Sequence, residues 1–162
     1  MATVRVIFES PDQAEVIALI SELDAYQDTL YPPESRHSIN LNSVKQANII
    51  LAVARGTNGR AVGCGAVVLN PDYGEVKRMY VQPEYRGRGV AQQILEELES
   101  AAYTRGCQEL MLETGPYQPA ALAFYEHSGY RRRGPFGVYI DDPLSVFMQK
   151  SLAKRARSAG SG

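Results

Sequence analysis

The sequence predicts an α+β fold in which helices flank a mixed, largely antiparallel sheet of six to seven strands. β-rich runs occur in both halves of the chain, and several are joined by short turn signals that favour antiparallel pairing. In the middle, a β-rich run, a glycine turn at 86–91, a long amphipathic helix and another β-rich run follow one another. Such a crossover makes its two strands parallel, so the sheet is expected to be mixed.

The N-terminal segment predicts a strand followed by a helix. Alternating apolar residues over 3–9 are typical of a strand. Ser10 can then cap a helix, Pro11 suits the first helical position, and Gln13 can complete a capping box. We therefore expect the helix to begin at Pro11.

A hairpin and a further strand come next. Residues 48–55 and 61–69 are β-rich, and the Asn58-Gly59 pair between them is a strong signal for a hairpin turn. A second turn cluster leads into the β-rich run 75–81. Three consecutive antiparallel strands are therefore expected to lead to the glycine turn.

The helix after the glycine turn is predicted over 89–105. Its apolar positions recur every three or four residues and are Val90, Ile94, Leu98, Ala101 and Ala102. Its glutamates are expected to face away from the core, and these are Glu96, Glu97 and Glu99. Gly106 supplies the stop signal.

The last third of the chain predicts a strand, a short helix and two further strands. The run 108–114 is the strand that completes the crossover. Pro119 suits the start of a helix that Gly129 ends. Residues 130–133 and 144–150 are the final β-rich runs.

Length and composition indicate one globular domain. A chain of 162 residues can bury a proper core, so we expect a single domain over 1–152 and a disordered, basic and Gly/Ser-rich tail over 153–162. The net charge of −1 indicates no general attraction to nucleic acid or to an anionic membrane. The chain begins with no signal pattern, and no apolar run approaches the about 18 residues that span a bilayer. A cytoplasmic protein with no nucleic-acid or membrane partner is expected.

The two cysteines carry no metal signature. Cys64 and Cys107 lack the spacing of metal ligands and lie in β-rich or helix-end surroundings. We expect both to be reduced thiols, and we expect no metal site.

The turn 86–91 has the properties of an anion-binding loop. Glycine allows a close backbone approach to a ligand, and the following helix adds the positive end of its dipole. Phosphate is the expected anion. A Walker loop does not fit, because Val90 and Ala91 follow Gly89 where a lysine and a serine or threonine are needed.

Two other phosphate-binding patterns stay open at this turn. A dinucleotide fingerprint is met in part by Gly87 and Gly89, but Gln92 occupies its third small position. The pattern Arg-x-x-Gly-x-Ala matches at every position, through Arg86, Gly89 and Ala91. This pattern resembles the acyl-CoA signature of the GNAT superfamily of N-acetyltransferases.

The resemblance extends over roughly residues 3 to 152, with its parts in the family's order. The strands before and after the central helix resemble the family's fourth and fifth strands. Tyr125, Gly129 and Tyr130 then match the family's Tyr-x-x-x-Gly-aromatic motif. The resemblance implies an acyl-CoA N-acyltransferase-like fold. It also implies an acetyl-CoA-dependent N-acetyltransferase, in which a primary amine attacks directly within a ternary complex.

The same resemblance implies the position of the acetyl-CoA site. In the family, the fourth and fifth strands splay apart and free backbone groups for the pantetheine arm, while the glycine turn binds phosphate. The residues at these positions are Met79, Tyr80, Val81, Arg86, Gly87, Arg88, Gly89, Val90 and Ala91. Acetyl-CoA is thus expected as the acyl-donor substrate, without a metal.

The chemistry requires a base and an acid. An amine with a pKa of about 10.4 is protonated at neutral pH, and a departing thiolate is stabilised by a protonated hydroxyl. The resemblance implies that Tyr125 is the acid. Glu75, eleven residues before Arg86, resembles the base glutamate of the histone-acetyltransferase-like branch. Glu113 at the end of the next strand is the second choice for the base, and water relays or a substrate that arrives neutral remain alternatives.

The sequence indicates the acceptor amine less clearly than it indicates the acetyl-CoA donor. In the family, the region that corresponds to 31–37 helps to shape the acceptor site, and the loop 135–139 is expected to flank the same end. His37 is a candidate acceptor contact. A small-molecule amine and a protein amine both stay open, and so does a homodimer.

Two other functions stay open. A CoA-binding sensor module without turnover would need only the glycine turn, whereas catalysis also needs Glu75 and Tyr125 in place. An oxidoreductase that binds a dinucleotide is the third choice.

Overall fold

A seven-stranded sheet occupies the centre of the structure, a computed structural model that describes residues 3–35 and 44–152. In chain order, the strands and helices are β1 (Arg5–Phe8), α1 (Ala14–Asp28), β2 (Ile49–Arg55), β3 (Ala61–Leu69), β4 (Gly74–Val81), α2 (Val90–Thr104), β5 (Glu109–Thr114), α3 (Pro119–His127), β6 (Arg131–Arg133) and β7 (Val146–Ser151). The strand order across the sheet is β1-β2-β3-β4-β5-β7-β6. Every neighbouring pair is antiparallel except β4 and β5. The predicted α+β fold with a mixed, largely antiparallel sheet is confirmed.

The sheet buries apolar side chains on both faces. On one face, α2 and α3 cover a core that includes Val67, Ile94, Leu98, Leu110 and Leu112. On the other face, α1 packs against β2 and β3. Because they are covered on both sides, β2 and β3 are buried along nearly their whole length.

The start of α1 differs from the prediction. The helix begins at Ala14, and its N-cap residue Gln13 makes no capping bond through its side chain. The hydroxyl of Ser10 accepts a hydrogen bond from the N–H of Asp12, and the Gln13 amide donates to the Ser10 carbonyl and to Glu9. These local bonds hold a turn ahead of the helix, so the predicted capping box is wrong.

The parallel pair of strands separates soon after it forms. Only Gly74 with Leu110 and Glu75 with Met111 are paired between β4 and β5 in the described chain. On their other edges, β5 pairs with β7 along its whole length and β4 pairs with β3. The two strands therefore diverge toward their carboxyl ends.

A bulge in β4 lies where the strands diverge. The register between β3 and β4 shifts between Cys64 and Ala66, where β4 accommodates an extra residue. Arg78 lies in this bulge with φ of 60°, and it is the one non-glycine residue with positive φ in the described chain. Its guanidinium donates to Asp24 of α1 at 2.6 Å. Such a conformation costs about 1–3 kcal/mol, and bulges of this kind are common beside functional sites.

One glutamate predicted to face solvent is buried. Glu96 and Glu97 of α2 are exposed as expected, but Glu99 is 2% exposed. The hydroxyl of Tyr130 and the ammonium of Lys150 both donate to its carboxylate. Because these bonds replace water, the carboxylate can lie in the core.

Both cysteines are free thiols. Cys64 is buried, and burial raises the pKa of its thiol to about 12. Cys107 is half-buried. Within the described ranges, no helix is long and apolar enough to cross a membrane, and no group of acidic, histidine or cysteine side chains could hold a metal ion. The predicted tail and His37 lie outside the described residues.

Candidate active site

The divergence of β4 and β5 opens a cleft in the sheet. Its walls include Met79 from β4 and Glu113 from β5, together with Tyr31 from the segment after α1 and Tyr125 from α3. These residues come from both sides of the sheet. A molecule in the cleft would therefore reach both faces.

The end of β4 forms one edge of this cleft. Tyr80 and Val81 pair with β3 on one side, and no ladder pair joins them to β5 in the described structure. The β4 residues that line the cleft directly are Val76, Lys77, Arg78 and Met79, and Tyr80 and Val81 are not among them. The carbonyl of Val81 accepts a hydrogen bond from Arg86 at 2.8 Å, which fixes the chain where it leaves the strand.

The glycine turn joins the end of β4 to the start of α2. Gly87 and Gly89 have φ of 76° and 77°, and both are exposed. A Cβ at either position would meet no atom within 4 Å, so the space in front of the turn is open. Gly89 is the N-cap of α2, and helix geometry leaves the first N–H groups without helical partners. The turn can therefore accept an anion such as phosphate.

The two arginines of the turn have different surroundings. The guanidinium of Arg86 lies 5.5 Å from the ring centroid of Tyr80. That of Arg88 lies 5.4 Å from the ring centroid of Tyr85. Both place positive charge beside the exposed glycines.

Tyr125 is buried at the cleft wall on the α3 side. Its ring contacts those of Phe124 and Tyr130, with centroids 5.2 and 5.7 Å away. Burial raises the pKa of its phenol well above the usual range. Because a raised pKa retains the proton, the hydroxyl is a donor at neutral pH.

Glu75 belongs to a half-buried polar cluster. The ammonium of Lys77 donates to its carboxylate at 3.1 Å, and the hydroxyl of Tyr139 also donates to it. Lys77 also donates to the Tyr139 hydroxyl at 3.1 Å. Burial, and then the bond to Glu75, raise the pKa of Tyr139. Lys77 lines the cleft, whereas Glu75 does not.

Glu113 lines the cleft directly. The hydroxyl of Ser145 donates to its carboxylate at 2.9 Å. Burial is the main cause of the raised pKa of both Tyr31 and Tyr139, and the charge of Glu113 contributes to each. The carboxylate therefore lies within electrostatic reach of both tyrosines.

Of the two segments predicted to flank the acceptor, 31–37 supplies Tyr31 and Ser35 to the cleft wall, whereas no residue of 135–139 lines the cleft. Ser35 donates to Asp142 at 3.0 Å, which joins the segment after α1 to the loop between β6 and β7. Phe136 of this loop is buried against neighbouring aromatic rings and does not line the cleft.

Sequence reasoning missed the partners of Glu75. Lys77 shares its strand face, because residues two apart in a strand point the same way, and this spacing could have identified the pair. Tyr139 is 64 residues away along the chain and carries no such local signal.

The strand gap, the glycine turn and the buried tyrosine together match the class of acyl-CoA transferases. The family model described as Acetyltransferase (GNAT) family matches residues 16–130, and the chain belongs to this family.

Relatives of the chain carry matching descriptions. A protein of Azospirillum brasilense named IAA acetyltransferase is 46% identical over 154 residues, which cover 94% of this chain and 100% of that protein. A solved structure from Klebsiella pneumoniae, assigned as an acyl-CoA N-acyltransferase, is 42% identical with a TM-score of 0.84 and covers 92% of this chain and 97% of that chain. The PaiA N-acetyltransferase of Thermoplasma acidophilum, solved with coenzyme A, shares the fold at 18% identity, with a TM-score of 0.73 and coverage of 92% and 99%.

These comparisons decide between the functions that the sequence left open. The chain is an acetyl-CoA-dependent N-acetyltransferase that acts on an amine acceptor. The dinucleotide oxidoreductase is ruled out by family membership, and the comparisons favour the enzyme over the sensor module.

We predict that Gly89→Ala weakens acetyl-CoA binding by at least about tenfold, because a Cβ would enter the space in front of the turn. Gly106→Ala at the other end of α2 is the matched control. Gly106 has φ of 90° and equally open surroundings, so both changes carry the same backbone cost. Calorimetric titration with acetyl-CoA should show loss of affinity for the first variant alone. Equal affinities in the two folded variants would locate the phosphate site elsewhere.

Proposed function

We propose that this enzyme acetylates a small-molecule primary amine, which attacks acetyl-CoA directly within a ternary complex. The observation that carries the proposal is a cleft with a protonated phenol on one side of the sheet and a carboxylate on the other. Tyr125 of α3 points into the core between the helices α2 and α3 and the sheet. Leu112 belongs to the same core, so the next residue of β5, Glu113, points to the opposite face.

The residues around the cleft fit acetyl-CoA, which supplies an activated acetyl thioester. We assign the pantetheine arm to the side of Met79, Tyr80 and Val81 that does not pair with β3. We assign the phosphates to the glycine turn, through its backbone N–H groups and the side chains of Arg86 and Arg88. The observation in favour is the open space in front of the turn.

Tyr125 is the proposed acid. Its phenol is protonated at neutral pH, as that of an ordinary tyrosine is, and burial raises its pKa further. It lies at the cleft wall. When the amine attacks the thioester carbonyl, the C–S bond breaks and sulfur takes the electron pair. Tyr125 donates its proton to that sulfur, so CoA leaves as a thiol.

Glu113 is the proposed base, ahead of the first sequence choice, Glu75. Glu75 already accepts hydrogen bonds from Lys77 and Tyr139 and does not line the cleft. Glu113 lines the cleft, so its carboxylate can reach an amine that approaches from that face. It would remove the proton that the amine loses on becoming an amide.

A small acceptor is favoured over a protein. The Ser35–Asp142 bond ties together the two segments beside the cleft, and Tyr31 stacks on Tyr117 with ring centroids 5.4 Å apart. Tyr31 and Ser35 both line the cleft, so these contacts give it a fixed wall on the acceptor side. A fixed wall of the chain's own side chains suits a small amine that enters the cleft.

We further propose that the protein is cytoplasmic, and a homodimer stays open. The free thiols Cys64 and Cys107 support the first, because cytoplasmic proteins are mostly kept reduced.

A panel of amines tests the proposed acceptor class. The panel should contain amino acids, polyamines, aromatic amines and a lysine-bearing protein, together with IAA because it appears in the name of the Azospirillum relative. We expect acetyl-CoA-dependent thiol release with at least one small amine and none above background with the protein. Release with the protein alone would contradict the proposal.

Replacing Tyr125 by Phe tests the proposed acid. We expect kcat to fall about 10²-fold, the usual scale for one acid–base group. Stability should fall by no more than about 1 kcal/mol, because only a hydroxyl is removed. The dissociation constant for acetyl-CoA should not change. Wild-type turnover together with a lower Tm would remove Tyr125 from the mechanism.

A pair of carboxylate variants tests the proposed base. We expect Glu113→Gln to lower kcat/KM by about 10²-fold at neutral pH, because an amide cannot take the proton that the amine loses. Glu75→Gln should have a smaller effect on the rate, because it disturbs only the hydrogen bonds to Lys77 and Tyr139. Steady-state rates of the two variants at neutral pH distinguish the two carboxylates. The larger loss in Glu75→Gln would restore Glu75 as the base.

A further inference from the structure

A buried polar cluster lies outside the cleft and takes no part in the proposed chemistry. It consists of Glu99 of α2, Tyr130 just after α3 and Lys150 of β7, and is called here the Glu99 cluster. Glu99 and Tyr130 are each 2% exposed. In the described residues, Glu99 is the one charged residue that is fully buried.

The cluster joins three separate elements by hydrogen bonds. The Lys150 ammonium lies 3.1 and 3.0 Å from the two carboxylate oxygens of Glu99. The Tyr130 hydroxyl donates to the same carboxylate at 2.9 Å. Lys150 also donates to the carbonyl of Ser128 at 2.7 Å, in the turn that ends α3. Each donor thus links Glu99 to the end of α3.

The cluster is in direct contact with Tyr125. The N–H of Tyr130 donates to the carbonyl of Tyr125 at 3.0 Å. The two rings meet edge to face, with centroids 5.7 Å apart and planes at 70°. A shift of Tyr130 would therefore shift the backbone and the ring of Tyr125 together.

Gly129 leaves room for the lysine of the cluster. Its φ is 98°, and a Cβ there would lie 3.3 Å from Cε of Lys150. The turn can therefore bring Tyr130 back to Tyr125 and still leave space for Lys150. Tyr125, Gly129 and Tyr130 of the sequence motif all belong to this arrangement.

Stability alone is a poor reason for such a cluster. The desolvation of buried charges offsets much of their attraction, and packed apolar residues often serve the core as well or better. Hydrogen bonds, unlike apolar contacts, fix distance and direction. The cluster fixes α3, which carries Tyr125, against α2, which begins at the proposed phosphate site.

We propose that Glu99, Tyr130 and Lys150 are positioning residues. They hold the hydroxyl of Tyr125 beside the position that the thioester sulfur takes in the cleft. Acetyl-CoA would be held at its phosphates by the start of α2, so the distance from α2 to its sulfur is fixed. The Glu99 cluster fixes α3 against α2, and so fixes the distance from α2 to the Tyr125 hydroxyl as well. This inference rests on the proposed role of Tyr125 as the acid.

A double-mutant cycle on kcat tests the positioning role. Tyr130→Phe keeps the ring and leaves Glu99 with both bonds from Lys150, so folding should be preserved. We expect kcat to fall about 5- to 50-fold, because small misplacements of a catalytic group are costly. The dissociation constant for acetyl-CoA should not change. In the Tyr125→Phe background, the same change should have no further effect on kcat, because its target hydroxyl is gone.

Glu99→Gln provides a second variant, with Glu9→Gln as its matched control. Glu9 is also a carboxylate in an ion pair, with Arg55 at 2.8 Å, but it follows β1, outside the cleft walls. Both changes remove one charge from an ion pair, and both should lower Tm. Only Glu99→Gln should lower kcat at a temperature where each variant is fully folded.

The outcomes separate this inference from the proposed function. If Tyr125→Phe lowers kcat but Tyr130→Phe does not, the acid stands and the positioning role is overturned. The positioning role is also overturned if Tyr130→Phe lowers kcat by the same factor in both backgrounds, since it then acts independently of Tyr125. If Tyr125→Phe leaves kcat unchanged, the acid and the positioning role both fall.

Discussion

The early separation of β4 from β5 is the constraint on which the rest of the structure depends. After Glu75 and Met111, the two strands stop pairing. β5 stays paired with β7 along its whole length, and β4 bulges at Arg78 while it follows β3. Separation gives up ladder hydrogen bonds and accepts a strained residue, which is costly for a fold. In return, backbone groups face a cleft that is open to both faces of the sheet. The glycine turn, α2 and α3 are all arranged around this gap.

Features with a local cause could be predicted from the sequence. The crossover requires a parallel pair whatever its neighbours, and the predicted parallel pair is confirmed. The exposed glycine turn likewise follows from its own residues, and Gly87 and Gly89 adopt the positive φ that glycine allows. The prediction of where α1 starts was wrong for a reason that is also local. The Ser10 hydroxyl can either cap a helix or accept a hydrogen bond within a turn, and it accepts from the N–H of Asp12 instead of capping the helix.

Features with a distant cause could not be predicted. The bond between Ser35 and Asp142 spans 107 residues, and no spacing rule connects them. Glu99 is the sharper case. With about 3.6 residues per turn, Glu97 and Glu99 both border the apolar stripe of α2, one on each side. Glu97 is exposed, whereas Glu99 meets an ammonium and a phenol from other elements. Periodicity reports which side chains are apolar. It does not report which polar side chain will find partners in the core.

The sheet also separates two environments that the proposed chemistry needs. A general acid must keep its proton until the thiolate forms, so its hydroxyl should not be committed to a carboxylate. Tyr139 shows the opposite case, because its hydroxyl already donates to Glu75. The pKa of Tyr125 is raised by burial, and its ring lies in the core beneath α2 and α3. Glu113 belongs to the other face. If both groups shared one face, the phenol could donate to the carboxylate, and the proposed acid and base would neutralise each other's function. The gap between β4 and β5 lets the substrates reach both groups while the sheet keeps the two groups apart.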